Sequence, residues 1–449
     1  MLVTTHANCQ QTEISSELSG QLFNAEGLTE LHLPNSVKRF YIENGFQPVW
    51  IKSQDETGHT WQAMLMLSCV VEFGLTPLDY HPDKLSQDTL FTMLNSPEKF
   101  GSGVKARYEI VLTDAMLTFI NHLHYGKLNP EYTSQRIDKF ENLPFRANEM
   151  LLQALDVEDL MSAVADVQPK NKLYQDLQSY LHLAKGQYLD DCYELPEADL
   201  RLAAINMERL RWADLKDEFH LHVNIPTYTL DVHQSDSIHS YKVIVGRRQT
   251  QTPIFSSSIT HFSTAPDWLV PKNIFVKELL PKAVQQPDYL ETHHYKVYDQ
   301  QGNRIEADKS MLREISKNPA GYSMRQSSGP NSALGAVVFR FPNRFNVYLH
   351  DTPEKKLFSR DKRAFSHGCI RVEKALDLAA LLLQYDGASD KIQQMRENAA
   401  LYHKSDFKLT KPVPIKVTYI TCTFKDGQVV RYDDIYGLDK DLEMKLFKK

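Results

Sequence analysis

The sequence predicts an α+β protein, with a mostly helical N-terminal domain followed by a β-rich domain that carries an insertion. Three observations lead there. Apolar residues recur at helical spacing as far as Trp212, they alternate with polar ones from Phe219 onward, and two turn-rich hairpins punctuate the second half.

The helical elements come first. Trp61, Met64, Leu65, Cys69 and Phe73 form a stripe that Gly74 stops. Leu112, Met116, Phe119 and Leu123 form a second, ended by Gly126 and Asn129-Pro130. Leu173, Leu177 and Leu181 suggest a third, and Leu202, Ile205 and Leu210 a fourth. The polar stretch from Gln168 to Pro196 reads as linker. Strands follow: Phe219 to Ile225 alternates, and Tyr228 to Val232 and Tyr241 to Val245 flank the turn Gln234-Ser235-Asp236-Ser237. Later strands are expected at Ala336 to Phe341, Phe345 to Leu349 and Ile415 to Phe424, the last turning at Lys425-Asp426-Gly427 into Gln428 to Tyr432. The mixed stretch 272–331 reads as an insertion.

Composition excludes several classes. With 42% hydrophobic residues in 449, the chain is neither disordered nor fibrous, and its length suits two or three domains. The net charge of -6 argues against a dedicated nucleic-acid binder. No apolar run approaches the roughly 20 residues of a membrane span, and the first twenty residues lack the basic-then-apolar pattern of a signal peptide. Five cysteines are too few for a disulfide framework, and an odd count leaves at least one thiol without an internal partner.

The chemistry concentrates in His350-Asp351-Thr352-Pro353 and Ser366-His367-Gly368-Cys369-Ile370-Arg371-Val372. Cys369 precedes a helical apolar pattern, so a helix N-terminus is expected to lower its thiol pKa. Gly368 permits a tight turn, and N–H groups around Gly368 and Cys369 suit an oxyanion. A thiol nucleophile needs a base. His350, at a strand end, is preferred over His367, which is too close in sequence to face the sulfur. The second ring nitrogen of His350 would be held by a carboxylate or a backbone carbonyl near Asp351. Arg371 either braces the loop or meets substrate, and Trp268 is either a core aromatic or a substrate platform. Cys9, Cys69, Cys192 and Cys422 read as structural or incidental, and His6, His32, His59, His81 and His293-His294 as surface or hydrogen-bonded histidines. A zinc set of His350, Asp351, His367 and Cys369 is disfavoured, because no paired ligand spacing accompanies it. No metal or other cofactor is expected, and no phosphate-binding loop occurs.

The Ser366 to Val372 block, with His350 upstream, resembles the active-site signature of L,D-transpeptidases with a YkuD-type catalytic domain. Further stretches resemble the YcbB-like branch of that family: Val243 to Gly246 with Thr250 and Thr252-Pro253, Pro266 to Pro271, Asn331 to Gly335, and Phe339 to Asn343. Phe40-Tyr41, Pro48-Val49-Trp50 and Gly74 to Pro77 resemble the branch's helical scaffold domain. The resemblance implies an N-terminal tail (1–35), a scaffold domain (36–200) and a catalytic domain (201–449) whose insertion, about 272–331, is a capping subdomain. It implies Cys369 as acylated nucleophile and His350 as proton acceptor and donor, oriented by the adjacent carbonyl. It places the N–H groups of His367, Gly368 and Cys369 in the oxyanion hole, Ser366, Asp351 and Arg371 in support, and Tyr348 and Trp268 as cleft walls.

The implied activity joins third-position residues of two peptidoglycan stem peptides, a tetrapeptide donor and an amine acceptor, and releases D-alanine. Carbapenem β-lactams are the implied inhibitors, the cell envelope or periplasm the implied location, and wall biogenesis and cell shape the implied roles. Hydrolysis (an L,D-carboxypeptidase), anchoring of a protein to peptidoglycan, and a non-catalytic wall-binding scaffold are the alternatives. Family members often carry a peptidoglycan-binding module between the domains. The stretch 166–200 is too short for one, and without a leader the chain reads as a processed or truncated form.

Overall fold

A computed structural model describes residues 2–24, 28–52, 58–185, 196–213, 215–235, 237–286 and 288–447. The chain forms two compact units: Met1–Lys216 together with Ile420–Lys449, and Asp217–Tyr419. No described helix is long and apolar enough to cross a membrane.

The first unit is built around the helix Ser102–His124, which is buried along almost its whole length. A helix without a wet face needs neighbours on all sides. Two of them are the helices Leu2–Phe23 and Pro34–Glu43. The first of these falls where a tail is expected. It is a docked element instead, because Ile14, Leu18 and Leu22, four residues apart, bury one face, and Gln21 Nε2 donates to Gly103 O at 2.8 Å.

Two acids of the central helix hold down loops. Asp114 accepts from the N–H groups of His32 (2.9 Å) and Leu33 (2.8 Å) and meets His81 Nε2 at 2.6 Å. Glu109, fully buried, accepts from three consecutive N–H groups, Val49 (3.0 Å), Trp50 (2.8 Å) and Ile51 (2.5 Å), and from the Tyr41 hydroxyl (2.9 Å).

The expected stripe from Trp61 is redistributed. The helix His59–Ser68 gives way after Cys69 to a 3-10 turn, Val70–Phe73, ended by Gly74 at φ +67. Met64 and Phe73 of that stripe are buried, with Met66, Leu67 and Val70 beside them, whereas Trp61 and Leu65 are exposed. The helices Lys172–Lys185 and Glu197–Ala213 form where the third and fourth stripes are read, so part of the expected linker is helix.

The domain division expected at residue 200 is displaced. Glu197–Ala213 packs with the helical unit, and so do the last thirty residues. There the strands Cys422–Lys425 and Gln428–Arg431 form a hairpin, followed by the helix Asp439–Leu446. Asn206 on Glu197–Ala213 accepts from Thr421 N at 2.8 Å, and Arg209 reaches Asp439 at 2.5 Å. The strand expected over 415–424 is therefore two strands in two units, parted at 419–421.

The second unit contains a nine-stranded sheet in the order β11-β3-β12-β10-β9-β4-β13-β1-β2. Its strands are β1 (Phe219–Asn224), β2 (Thr229–Gln234), β3 (Ser237–Gly246), β4 (Phe255–Thr264), β9 (Val337–Arg340), β10 (Leu349–His350), β11 (Ala364–Ser366), β12 (Ile370–Val372) and β13 (Ser405–Thr418). β3 pairs with β2 through Ser237 to Lys242 and with β12 and β11 through Val243 to Gly246, so the sheet curls back on itself.

One row of opposed residues, Ile370, Leu349, Phe339, Phe262 and Phe407, is buried throughout. Phe262 lies 5.7 Å from Phe339 and 5.1 Å from Phe407, ring to ring, and the helix Ala375–Tyr385 packs against β9 and β13. Because side chains alternate between faces, the neighbouring rows must face the other way.

The insertion has its own four-stranded sheet, β5 (Trp268–Leu269), β8 (Ser323–Gln326), β6 (Tyr295–Tyr298) and β7 (Arg304–Ile305). It begins four residues before the expected 272, and its core includes Phe275, Leu280, Val297, Leu312 and Met324. The strand expected over 345–349 is only Leu349–His350. Ahead of it Asn343 closes a loop: its Nδ2 donates to Phe341 O (3.1 Å) and Val347 O (2.7 Å), and its Oδ1 accepts from Phe345 N (3.1 Å) and Val347 N (3.0 Å).

Candidate active site

Strand register assembles the site. Leu349 pairs with Ile370 and His350 with Arg371, so the preceding residues, Tyr348 and Cys369, are also opposed, and Ile370 N donates to Tyr348 O at 3.1 Å. Opposed residues share a face. Tyr348, His350, Cys369 and Arg371, which are separated by up to 23 positions in the chain, thus project from the face opposite the phenylalanine row.

The imidazole of His350 is buried and oriented. Its Nδ1 lies 2.5 Å from Asp351 O. A carbonyl only accepts, so Nδ1 carries the proton and Nε2 presents a lone pair, which has no protein partner among the described residues. Burial, with the Arg371 charge adding to it, pushes this imidazole's pKa down to about 4 against the pull of the Asp351 carbonyl. The Asp351 carboxylate is occupied elsewhere: it accepts from Ala336 N at 2.9 Å and pairs with Lys355. Gly335, at φ +59, leaves it room, since a Cβ there would stand 2.5 Å from Oδ2.

Cys369 is half-buried, and burial pushes its thiol pKa up, although the Tyr348 N–H and hydroxyl and the Arg371 charge act in the other direction. This departs from the lowered pKa expected of a helix N-terminus. The cause is β12, which separates Cys369 from the helix starting at Ala375 and carries the dipole out of range. The sulfur makes no hydrogen bond to His350 here. Its contact with Asn346 O is 4.0 Å long.

Ser366 shapes the turn, donating to Cys369 O at 2.5 Å and accepting from Gly368 N at 3.1 Å. Gly368 has φ +117, which a side chain would strain, and its carbonyl accepts from Thr252 Oγ1 at 2.8 Å. Of the three N–H groups expected in the oxyanion hole, that of Gly368 is thereby engaged. Those of His367 and Cys369 have no protein acceptor among the described residues.

His367 is held by partners outside its own turn. Its Nε2 lies 2.5 Å from Glu278 Oε1 and 2.6 Å from Arg247 Nη2. Glu278 belongs to the insertion, so this histidine links the Ser366–Cys369 turn to the insertion. Neither Arg247 nor Glu278 carries a sequence signal for this role, because the contact spans 89 positions in one case and 120 in the other. Trp268, the first residue of β5, packs on the insertion's core and faces the Tyr348 hydroxyl, whose ring lies 5.7 Å from that of His350. Burial, more than the nearby thiol, raises the Tyr348 pKa. Arg371 pairs with Glu354.

Of the four side chains weighed as a zinc set, Asp351 pairs with Lys355 and His367 meets Glu278 and Arg247, whereas His350 Nε2 and the Cys369 sulfur are not tied up in this way. Among the described residues, the group that brings metal-type ligand atoms within 4.8 Å of one another is His32, His81 and Asp114 in the helical unit, where Asp114 already staples a loop. Cys69 and Cys422 form no disulfide among the described residues, and burial pushes Cys422 up to about 12. Cys192, and the side chains of Cys9 and His6, lie outside the described residues.

Comparisons with known proteins bear on the family. A model described as a scaffold domain matches residues 35–181, and one described as an L,D-transpeptidase catalytic domain matches residues 218–414. A Haemophilus influenzae protein named "Putative L,D-transpeptidase" is 30% identical over 451 aligned positions, covering 97% of this chain and 83% of that protein. A solved L,D-transpeptidase from Mycobacterium smegmatis is 14% identical, and the match spans 44% of this chain and 58% of that one. Its TM-score of 0.20 carries no argument. The relative that is alike over nearly the whole chain settles the family: this protein belongs to the L,D-transpeptidases, with a scaffold domain ahead of its catalytic domain.

Proposed function

We propose that the protein cross-links peptidoglycan stem peptides through a thioester on Cys369. The observation that supports this most directly is the fixed tautomer of His350, whose bare Nε2 shares a sheet face with the Cys369 thiol. Nε2 takes the thiol proton as sulfur attacks the carbonyl of the donor's third residue. The C–N bond to D-alanine then breaks, and the imidazolium returns its proton to the leaving amine. An amine on a second stem attacks the thioester, its proton passes to Nε2, and sulfur departs to be reprotonated. The N–H groups of His367 and Cys369 would stabilise the oxyanion in both steps. The activity belongs in the cell envelope, where these peptides are.

Intact-mass measurement after carbapenem treatment tests the nucleophile: one covalent adduct is expected, absent from Cys369→Ala. Muropeptide analysis after expression tests the acceptor. Dimers joined between third residues are expected, whereas accumulation of tripeptides alone would mean that water is the acceptor.

Two further results are expected. Because the imidazole stays neutral above about pH 4, the acid limb of the acylation rate should lie nearer 4 than the usual histidine value. A limb at pH 6 to 7 in a rate–pH profile would contradict the assignment. Ser366→Ala, which releases both the Gly368 N–H and the Cys369 carbonyl, should slow acylation by about 10- to 100-fold through misplacement of the sulfur. Unchanged acylation kinetics would show that the turn holds without it.

A further inference from the structure

The register that aligns Tyr348 with Cys369 continues across the sheet. Leu349 pairs with Phe339, so Tyr348 stands opposite Arg340; Arg340 pairs with His261, and His261 with Lys408. Cys369, Tyr348, Arg340, His261 and Lys408 therefore form one row over five adjacent strands, on one face. At about 4.8 Å per strand, Arg340 lies about 10 Å and Lys408 about 19 Å from Cys369 along that row.

The far end of the row is a cavity of about 450 Å³ lined by Arg340, Lys404, Lys408, His261, Asp406 and Ser263, with Thr260 at its edge. Three permanent cations face one carboxylate there, in a chain whose net charge is -6. The carboxylate, Asp406, already accepts from Ser263 Oγ at 2.5 Å. Lys404 has only a long approach to Asp267, at 3.8 Å, while Arg340 and Lys408 have no carboxylate partner among the described residues. The Arg340 guanidinium lies 5.9 Å from the Tyr348 ring centre, which joins the cavity to the site of acylation.

We infer that this basic cavity is the subsite for the carboxylate-bearing part of the acyl-donor peptide, the residues that precede the one attacked by Cys369. An extended peptide advances about 3.3 to 3.6 Å per residue, so the two residues ahead of the attacked one cover about 7 Å. The long side chains of Arg340 and Lys408 close the remaining gap. Clustered cations in a partly walled cavity select an anion over its neutral isostere and raise its local concentration. The inference rests on the stem-peptide reading above and deepens it by naming what distinguishes one stem from another.

The test is equilibrium binding to the full chain carrying Cys369→Ala, so that no turnover is needed. The probes are L-Ala-γ-D-Glu tetrapeptides ending in diaminopimelate and D-alanine, with the D-Glu α-carboxylate either free or amidated. The free acid is expected to bind at least about tenfold more tightly at low salt. Adding Lys404→Gln and Lys408→Gln, both at exposed positions, should weaken that preference by several-fold, with Arg340 carrying the remainder, while the amidated peptide binds as before. Equal binding of the two peptides, no binding of either, or a preference that the double substitution leaves undiminished would each overturn the subsite. Turnover of the same peptides by the unsubstituted protein reports separately on the cross-linking function, so the two readings can fail independently.

Discussion

Cys369→Ala is expected to remove acyl transfer altogether, by about 10⁴-fold or more, with the fold unchanged. The side chain is half-buried and its contacts are the Tyr348 groups and a long approach to Asn346 O, so the smaller residue disturbs little packing. Loss of the carbapenem adduct by mass spectrometry and of stem-peptide turnover, with an unaltered melting curve, is the predicted outcome. Residual turnover near the level of the unsubstituted protein would mean that another group carries the acyl chain. The raised thiol pKa adds a second result. Near neutral pH the sulfur is protonated, so it depends on His350 to remove its proton. His350→Gln should therefore lose about 10²- to 10⁴-fold at neutral pH and recover part of that loss as the pH rises toward the thiol's own ionisation. A thiolate preformed at neutral pH would show no such recovery.

The second large effect lies in the helical unit. Glu109→Leu removes the acceptor for the N–H groups of Val49, Trp50 and Ile51 and for the Tyr41 hydroxyl, all of them buried. Orphaned buried donors cost about 1–3 kcal/mol each, so a loss on the order of 5 kcal/mol is expected. For a unit of this size that lowers the melting temperature by about 10–20 °C. Thermal unfolding followed by helical circular dichroism reads it. A shift of only a few degrees would show that the 49–51 turn finds other acceptors.

Much of this molecule is legible one segment at a time. The stripe from Leu112 to Leu123 marks the central helix, and Ser366 to Val372 with His350 marks the site, because local period and local chemistry suffice in both cases. Ile14, Leu18 and Leu22 share the same period, but the polar residues around them make the segment read as a tail. What stays hidden is what only long-range pairing creates. Glu109 is one acid among helical residues until the 49–51 turn arrives. The three-residue strand after Cys369 cannot be told from a helix start, so the expected dipole is out of range and burial decides the direction of the thiol pKa. Arg340, His261 and Lys408 lie on three strands far apart in sequence, and only their register makes them a row.

The return of Ile420–Lys449 to the helical unit makes the catalytic unit an insertion held at both ends, at Lys216–Asp217 and at Tyr419–Ile420. A single peptide-bond cleavage at either crossing leaves the other intact, so one proteolytic nick cannot set the transpeptidase portion free. Shortening the chain before Ile420 would have the opposite consequence. It would keep the whole catalytic unit, yet strip the helical unit of the hairpin and terminal helix that pack on Glu197–Ala213.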